Sequence, residues 1–319
     1  MKRFVALMLA VMCLFTTAPF VLADDTPAPI PVLSPDEITP TPAGIHHYML
    51  VCIDSWGADL RKSGNHTDGL ILVTVDEYAG RVMLTSFIRD MLIQRPDGDF
   101  GRINNVLDYF GRENGGIEAL ITTINTHFDL NIEKYIVVDF KQVENIIDAI
   151  GGVDIEITAR EANYLRNYPL SASSTTPALA GGGTYHFTGH AAVIYMRMRK
   201  VANIDGETQD VGRTRRARTV LTTIADDLKD ISYDEAVALL NVIMENTVLT
   251  NMTTNDMMDA LNLALTLKGT HVESIRMPID GTYEPMPVSG MATQQIDYIK
   301  NREALHEFLI DPFVVVVDE

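Results

Sequence analysis

The sequence predicts an α/β (α+β) domain of three layers, with a central mixed β-sheet flanked by helices. Two observations carry this prediction. Between residues 46 and 277, short apolar runs rich in Val, Ile and Tyr alternate with segments whose apolar residues recur at helical spacing. The composition supports a packed core: 46% of the 319 residues are hydrophobic and 21% are charged, too apolar for a disordered chain.

The elements follow in order. Lys2 and Arg3 precede an apolar run over 4–23 that ends in Val21-Leu22-Ala23, a small-residue cleavage pattern. Residues 1–23 therefore read as a signal peptide or signal-anchor, and in either case the bulk of the chain is exported. Residues 24–45 are rich in Pro and Thr with no periodic apolar face, which makes them an extended linker. The globular domain is expected over 46–228. Strands are predicted at 48–54, 70–76 and 81–88, the last two joined as a hairpin through Glu77-Tyr78-Ala79-Gly80. Helical spacing covers 105–111, 116–128 and 143–150, with strands at 135–140 and 153–157. Further helices are predicted at 188–199 and 213–228. Residues 229–319 read as a mostly helical C-terminal part packed on or following the domain, with helices at 233–247 and 254–267 and a strand at 271–277.

Charge narrows the function. The net charge of −18 argues against a protein that tracks nucleic acid or adheres to an anionic surface. An anionic substrate would need a local cluster of cations or a bound metal ion. There are two cysteines, Cys13 and Cys52, in no zinc-binding pattern. Cys13 lies in the N-terminal apolar run, and Cys52 reads as a small buried hydrophobe rather than a nucleophile. There is no G-x-S-x-G, H-E-x-x-H, P-loop or dinucleotide fingerprint, and the eight histidines are scattered.

Polar residues instead gather at the ends of predicted strands, where α/β proteins build sites. Asp54 ends the first, Asp68 precedes the second, and Arg89-Asp90 ends the third. Paired carboxylates suit a hard cation that fills its remaining positions with water and phosphate oxygens. From Arg197 to Arg218 there are seven basic residues in a chain with only 25 Lys and Arg. Guanidinium groups bind phosphate bidentately and keep their charge. On the helix opening at Arg213, Arg213 and Arg216 share one face while Arg215 and Arg218 share another, so one pair is expected to be functional and the other solvated.

These residues, in this order, resemble the LytR–CpsA–Psr family of cell-wall glycopolymer phosphotransferases. The matching pieces are Ile53-Asp54-Ser55, Thr67-Asp68-Gly69 leading into LILVTVD, and SFIRDM with Arg89-Asp90. They continue through RINNVLDYFG from Arg102, YIVVDF and IIDAIGGVD up to Asp154, AAVIYMRMR ending at Arg199, and DVGRTRR from Asp210. The resemblance spans 47–228. It implies that Asp54 and Asp68 bind Mg²⁺, with Mn²⁺ as the alternative. It implies that Arg89, Arg197, Arg199 and Arg213 clamp the pyrophosphate of a polyprenyl carrier, and that Asp90 and Asp210 orient those arginines or accept a proton. Arg102, where the family commonly has Lys, and Arg216 complete the expected substrate contacts. The lipid tail is expected in an apolar tunnel between sheet and helices. The partners implied are a polyprenyl-pyrophosphate-linked glycan, a peptidoglycan acceptor and the outer leaflet of the membrane, with no nucleic acid. Some family members hydrolyse the pyrophosphate instead. The alternative reading is a non-catalytic polyprenyl-phosphate-binding or regulatory protein of the cell envelope. The family usually has Gln where this chain has Ala217.

Overall fold

The computed structural model describes residues 27–57, 66–111, 115–167 and 179–310. The expected export segment, 1–23, lies outside the described residues. No helix among the described residues is long and apolar enough to cross a membrane.

The chain opens with β1 (Ile45–Ile53), which pairs antiparallel with β2 (Thr67–Asp76); β2 turns into β3 (Arg81–Phe87) as the expected hairpin. A small ladder, β4 (Leu92–Gln94) with β5 (Phe100–Arg102), leads to α1 (Val106–Phe110) and α2 (Gly116–Phe128). Next come β6 (Lys134–Asp139), α3 (Phe140–Ala149), β7 (Val153–Ile157), α4 (Ala159–Leu165), β8 (Gly183–Phe187) and α5 (Gly189–Met196). The long α6 (Gln209–Asp227), α7 (Tyr233–Glu245), β9 (Leu249–Thr250), α8 (Thr254–Thr266) and β10 (Val272–Met277) follow. The described chain closes with β11 (Tyr283–Pro285), β12 (Gln294–Ile296) and α9 (Tyr298–Leu309).

The central sheet runs β10-β3-β2-β1-β6-β9. It is mixed: β1–β6 and β3–β10 are parallel, and the other pairs are antiparallel. Alternation along the strands builds the two outer layers. One face sends Met49, Val51, Leu70, Leu72 and Met83 into a core shared with α2 and α9. The other sends Leu50, Ile71, Val73 and Leu84 against Ala217 and Leu221 of α6, while Tyr48 and Ile136 meet α7 and α8. The predicted three-layer α+β architecture is the one observed.

Two parts were not legible in the pattern. α4 and the short strands β4, β5, β8, β9, β11 and β12 fall where no element is predicted, and α6 begins at Gln209, ahead of the expected start at 213. The region beyond 228 supplies strands to both edges of the central sheet, β9 beside β6 and β10 beside β3.

α6 is tied to α4, the helix between β7 and β8, by the Arg216–Glu161 ion pair. Arg216 is fully buried; its Nε donates to Glu161 Oε1 of α4 at 2.8 Å, and its Nη1 and Nη2 donate to the carbonyls of Met198 and Val201. Arg216 therefore corrects the expectation that it contacts substrate, because its burial and these bonds leave it no face toward a ligand. Removing one partner of such a pair strands the other charge, at about 3–5 kcal/mol. Glu161→Ala is accordingly expected to lower the unfolding free energy read from urea titration by that amount, whereas Arg215→Ala, at an exposed pair with Asp205, should change it by less than about 1 kcal/mol.

Candidate functional site

The site forms where β1, β2 and β3 end beside the N-terminus of α6. The register of β1 on β2 slips once: Cys52 faces Gly69, but Ile53 faces Thr67, which makes Asp68 the extra residue of a bulge. Strict alternation would send Asp68 to the side of Leu70 and Leu72, away from α6. The bulge aims its carboxylate at α6 instead. A Cβ on Gly69 would lie 2.9 Å from the Cβ of Cys52, so the strands approach this closely only because residue 69 is glycine.

α6 is brought to this edge by a strained entry. Gln209 adopts φ 53°, a left-handed conformation costing a non-glycine residue about 1–2 kcal/mol, and its N–H donates to the carbonyl of Arg199 at 2.7 Å. Asp210 then lies in the first turn, where a carboxylate complements the helix dipole. α5 ends at Met196, just before Arg197 and Arg199, and starts with Gly189, where a Cβ would lie 2.1 Å from the Glu144 carbonyl of α3.

The charged groups form a lattice of Arg89, Asp68, Arg213, Asp210 and Arg199, with the Arg197–Asp54 pair beside it. Arg89 Nη1 donates to Asp68 Oδ1 at 2.6 Å, and Arg213 Nη1 donates to Asp68 Oδ2 at 2.7 Å. Asp210 Oδ1 lies 3.2 Å from both Arg89 Nε and Arg213 Nη2, while Oδ2 accepts from Arg199 Nη2 at 2.8 Å. Arg197 Nη2 reaches Asp54 Oδ1 at 3.3 Å. Four guanidiniums thus share three carboxylates. Several of their N–H groups remain unspent: Arg199 Nε, Arg213 Nε and Arg213 Nη2 are buried without a hydrogen-bond partner, the last being close to Asp210 but poorly aligned. Buried donors left in this way suit an incoming anion.

Burial pushes the Asp68 carboxyl up, but Arg213 and Arg89 outweigh it and hold it below the usual aspartate value. Asp90 behaves in the opposite sense. Burial, reinforced by the negative charge of Asp210, raises its pKa, and its Oδ1 is buried with no hydrogen-bond partner. It forms no ion pair with an arginine among the described residues. The orienting role expected of both aspartates therefore falls to Asp210 alone.

Asp54 and Asp68 also present a donor set that fits Mg²⁺. Both are carboxylates at adjoining strand ends, the Asp54 side chain is 37% exposed, and each Asp68 oxygen accepts a single arginine N–H. Cys52 lines the neighbouring wall, and burial raises its thiol pKa, in keeping with an inert residue.

An apolar cavity of about 160 Å³ opens beside the lattice, walled by Leu50, Ile71, Val138, Val193 and Leu221, with Asp68, Arg197 and Arg213 at its polar end. A second apolar cavity, of about 480 Å³, lies between the sheet and α6, α7 and α8, and it shares Leu221 with the first. Sequence reasoning missed Trp56. The residue is 43% exposed; its ring packs 5.6 Å from the Phe140 ring and lies beside Arg197, whose guanidinium is 4.4 Å from the same Phe140. The signal available was a lone tryptophan two residues after Asp54. Arg102 is placed near this edge: Asn104 N–H donates to the Arg89 carbonyl at 3.2 Å, and Arg102 Nε is buried without a partner.

Comparison with known proteins gives the family and the fold. The LytR_cpsA_psr family model matches residues 50–305. Biofilm regulatory protein A of Streptococcus mutans is 27% identical over 216 residues, which covers 65% of this chain and 49% of that protein. Polyisoprenyl-teichoic acid–peptidoglycan teichoic acid transferase TagV of Bacillus subtilis is 24% identical over 166 residues, 52% of this chain and 40% of that protein. The chain thus spans about half the length of these curated relatives, or less. The crystal structure of B. subtilis TagV covers 84% of this chain and 98% of its own at a TM-score of 0.62 and 21% identity. TagT bound to LIIa-WTA covers 87% and 96% at a TM-score of 0.65 and 19% identity. At these identities the structures share the fold.

The raised Asp90 pKa has a consequence for stability. The folded state holds this proton more tightly than the unfolded state, so stability falls as pH rises from the ordinary aspartate value of about 4 up through the raised one. Asp90→Asn removes that term. Its melting temperature should equal or exceed that of the parent at pH 7, with the gap closing below about pH 4; a variant that melts lower at pH 7 would contradict the assignment.

Proposed function

This chain is a member of the LytR–CpsA–Psr family, and on that premise we propose that it is an extracytoplasmic, Mg²⁺-dependent phosphotransferase. It moves a glycopolymer from a polyprenyl-pyrophosphate carrier to a sugar hydroxyl of peptidoglycan. The chain works at the outer face of the membrane, secreted or held there by its N-terminal segment.

The observation that carries this reading is the arginine–carboxylate lattice at the mouth of an apolar cavity. A ligand with a doubly charged headgroup on a long apolar tail satisfies both halves at once. Burial of the tail between the sheet and α6, α7 and α8 supplies affinity in proportion to the apolar area covered. The name of TagV, a polyisoprenyl-teichoic acid transferase, supports the same class of substrate.

Phosphoryl transfer asks the protein for alignment and charge neutralisation more than for covalent chemistry. Arg89, Arg197, Arg199 and Arg213 hold the pyrophosphate oxygens, Arg199 and Arg213 spending the N–H groups that the lattice leaves unpaired. Asp210 keeps three of those guanidiniums in position. Asp54 and Asp68 would hold Mg²⁺, which supplies charge neutralisation at the phosphate oxygens. The acceptor oxygen bonds to the glycan-side phosphorus, and its proton passes to Asp90, whose raised pKa and unpaired oxygen suit a base. The bond from that phosphorus to the bridging oxygen breaks, and polyprenyl monophosphate leaves.

The test follows release of polyprenyl monophosphate from a polyprenyl-pyrophosphate-linked glycan. Release should need Mg²⁺ and stop with chelator. Arg89→Ala should cut it by about 10²–10³-fold. The fold should survive, because Arg213 still pairs with Asp68 and Arg199 with Asp210. Asp90→Asn should remove the limb along which the rate rises with pH through its raised pKa. Near-normal turnover in Arg89→Ala, with or without metal, would sink the reading.

A further inference from the structure

Among the described residues, the buried arginines are compensated, with one exception. Arg213 pairs with Asp68 and Asp210, Arg216 with Glu161, and Arg276 with Asp280. Arg218, on α6, is 4% exposed and forms no ion pair among the described residues. Its one hydrogen bond runs from Nη1 to Ser86 Oγ on β3, and its Nε is buried without a partner. Burial, with Arg215 adding to it, pulls its pKa down to about 10, which leaves it charged at neutral pH. A desolvated cation with no carboxylate in contact is costly, and the carboxylates of Glu207 and Asp205, which act on it from beyond ion-pair range, offset the burial only in part.

Ser86 shows what could. Its side chain belongs to the wall of the apolar cavity that Asp68, Arg197 and Arg213 also line. A hydroxyl has one proton to donate and two lone pairs. Ser86 Oγ accepts from Arg218, and no described acceptor takes its proton. Position 218 lies five residues past Arg213 on α6, about 7.5 Å further along the helix axis, toward Leu221 and the second cavity.

We propose that Ser86 and Arg218 form an anion-binding pair for the lipid-side phosphate of the carrier, with the Ser86 hydroxyl donating to a phosphate oxygen and the Arg218 charge behind it. This rests on the reading of the site as one for an isoprenyl pyrophosphate. Ser86 is the contacting group, and Arg218 is a positioning residue acting through it. The lipid-side phosphate is also the leaving group of the transfer, so the pair stabilises the charge that grows as the bridging bond breaks. The unpaired cation is then a cost in the free protein that ligand binding relieves.

That cost separates the proposal from a structural role by sign. Calorimetry with geranylgeranyl monophosphate, and with geranylgeraniol as the uncharged control, would be run on the parent, Arg218→Met, Arg218→Lys and Ser86→Ala. Arg218→Met should weaken the monophosphate about tenfold or more, leave the alcohol unchanged, and melt at the same or a higher temperature. Arg218→Lys should retain part of the affinity. Ser86→Ala should also weaken the monophosphate, and the double variant should lose little beyond the larger single loss, since the two act as a unit. Unchanged monophosphate affinity in Arg218→Met, equal weakening of the alcohol, or fully additive losses would each overturn the pair. If the parent binds neither probe, the isoprenyl-phosphate reading itself fails. Binding by the parent with no effect of these variants would refute this inference alone.

Discussion

The bidentate hold of Arg89 and Arg213 on Asp68 is the interaction on which the rest of this site depends. Asp68 belongs to the sheet edge, Arg89 follows β3, and Arg213 belongs to α6. One carboxylate therefore ties three chain segments that are distant in sequence. Asp210 repeats the arrangement from the helix side, joining Arg89, Arg199 and Arg213. Partial burial makes each contact stronger than it would be in water and makes any lost partner expensive. The lattice is thus both the clamp that fixes α6 against the sheet and the cation source that a chain of net charge −18 needs in order to bind an anion.

The arginines of α6 show how one helix divides its charges between structure and chemistry. Arg216 faces α4 and is spent on Glu161 and two carbonyls. Arg213 faces the strand ends and retains unsatisfied N–H groups. Arg215 is exposed beside Asp205, and Arg218 is buried behind Ser86 without a carboxylate. Neither helical face pairing expected from spacing holds, because each residue meets a different neighbour at a different height along the axis. Satisfied charges here belong to stability and unsatisfied ones to binding, a division that also fits Asp90.

The apolar half of the site comes from the same geometry. Once α6 is pinned at its N-terminus, its middle residues Ala217 and Leu221 stand over the sheet face built from Leu50, Ile71 and Val73. α7 and α8 extend that roof, and the second cavity lies between them and the sheet. Small residues such as Ala217 leave space where larger ones would fill it. The polar clamp and the apolar space are therefore two consequences of one helix placement.

Much of this was legible in the residues alone. Short apolar runs marked β1, β2, β3, β6, β7 and β10, and helical spacing marked α2, α7 and α8, because both signals arise from the burial of a local element. The ordered motifs singled out Asp54, Asp68, Arg89, Arg197, Arg199, Asp210 and Arg213, all of which meet in the lattice or in the pair beside it. Tertiary structure decided the rest. The bulge that turns Asp68 toward α6 depends on how β1 registers on β2. The separation of Asp210 from Asp90, and of Arg216 from Arg213, depends on which groups are buried together. The state of a charge is set by its distance to charges elsewhere in the chain and by the water excluded around it, and neither is a property of local sequence.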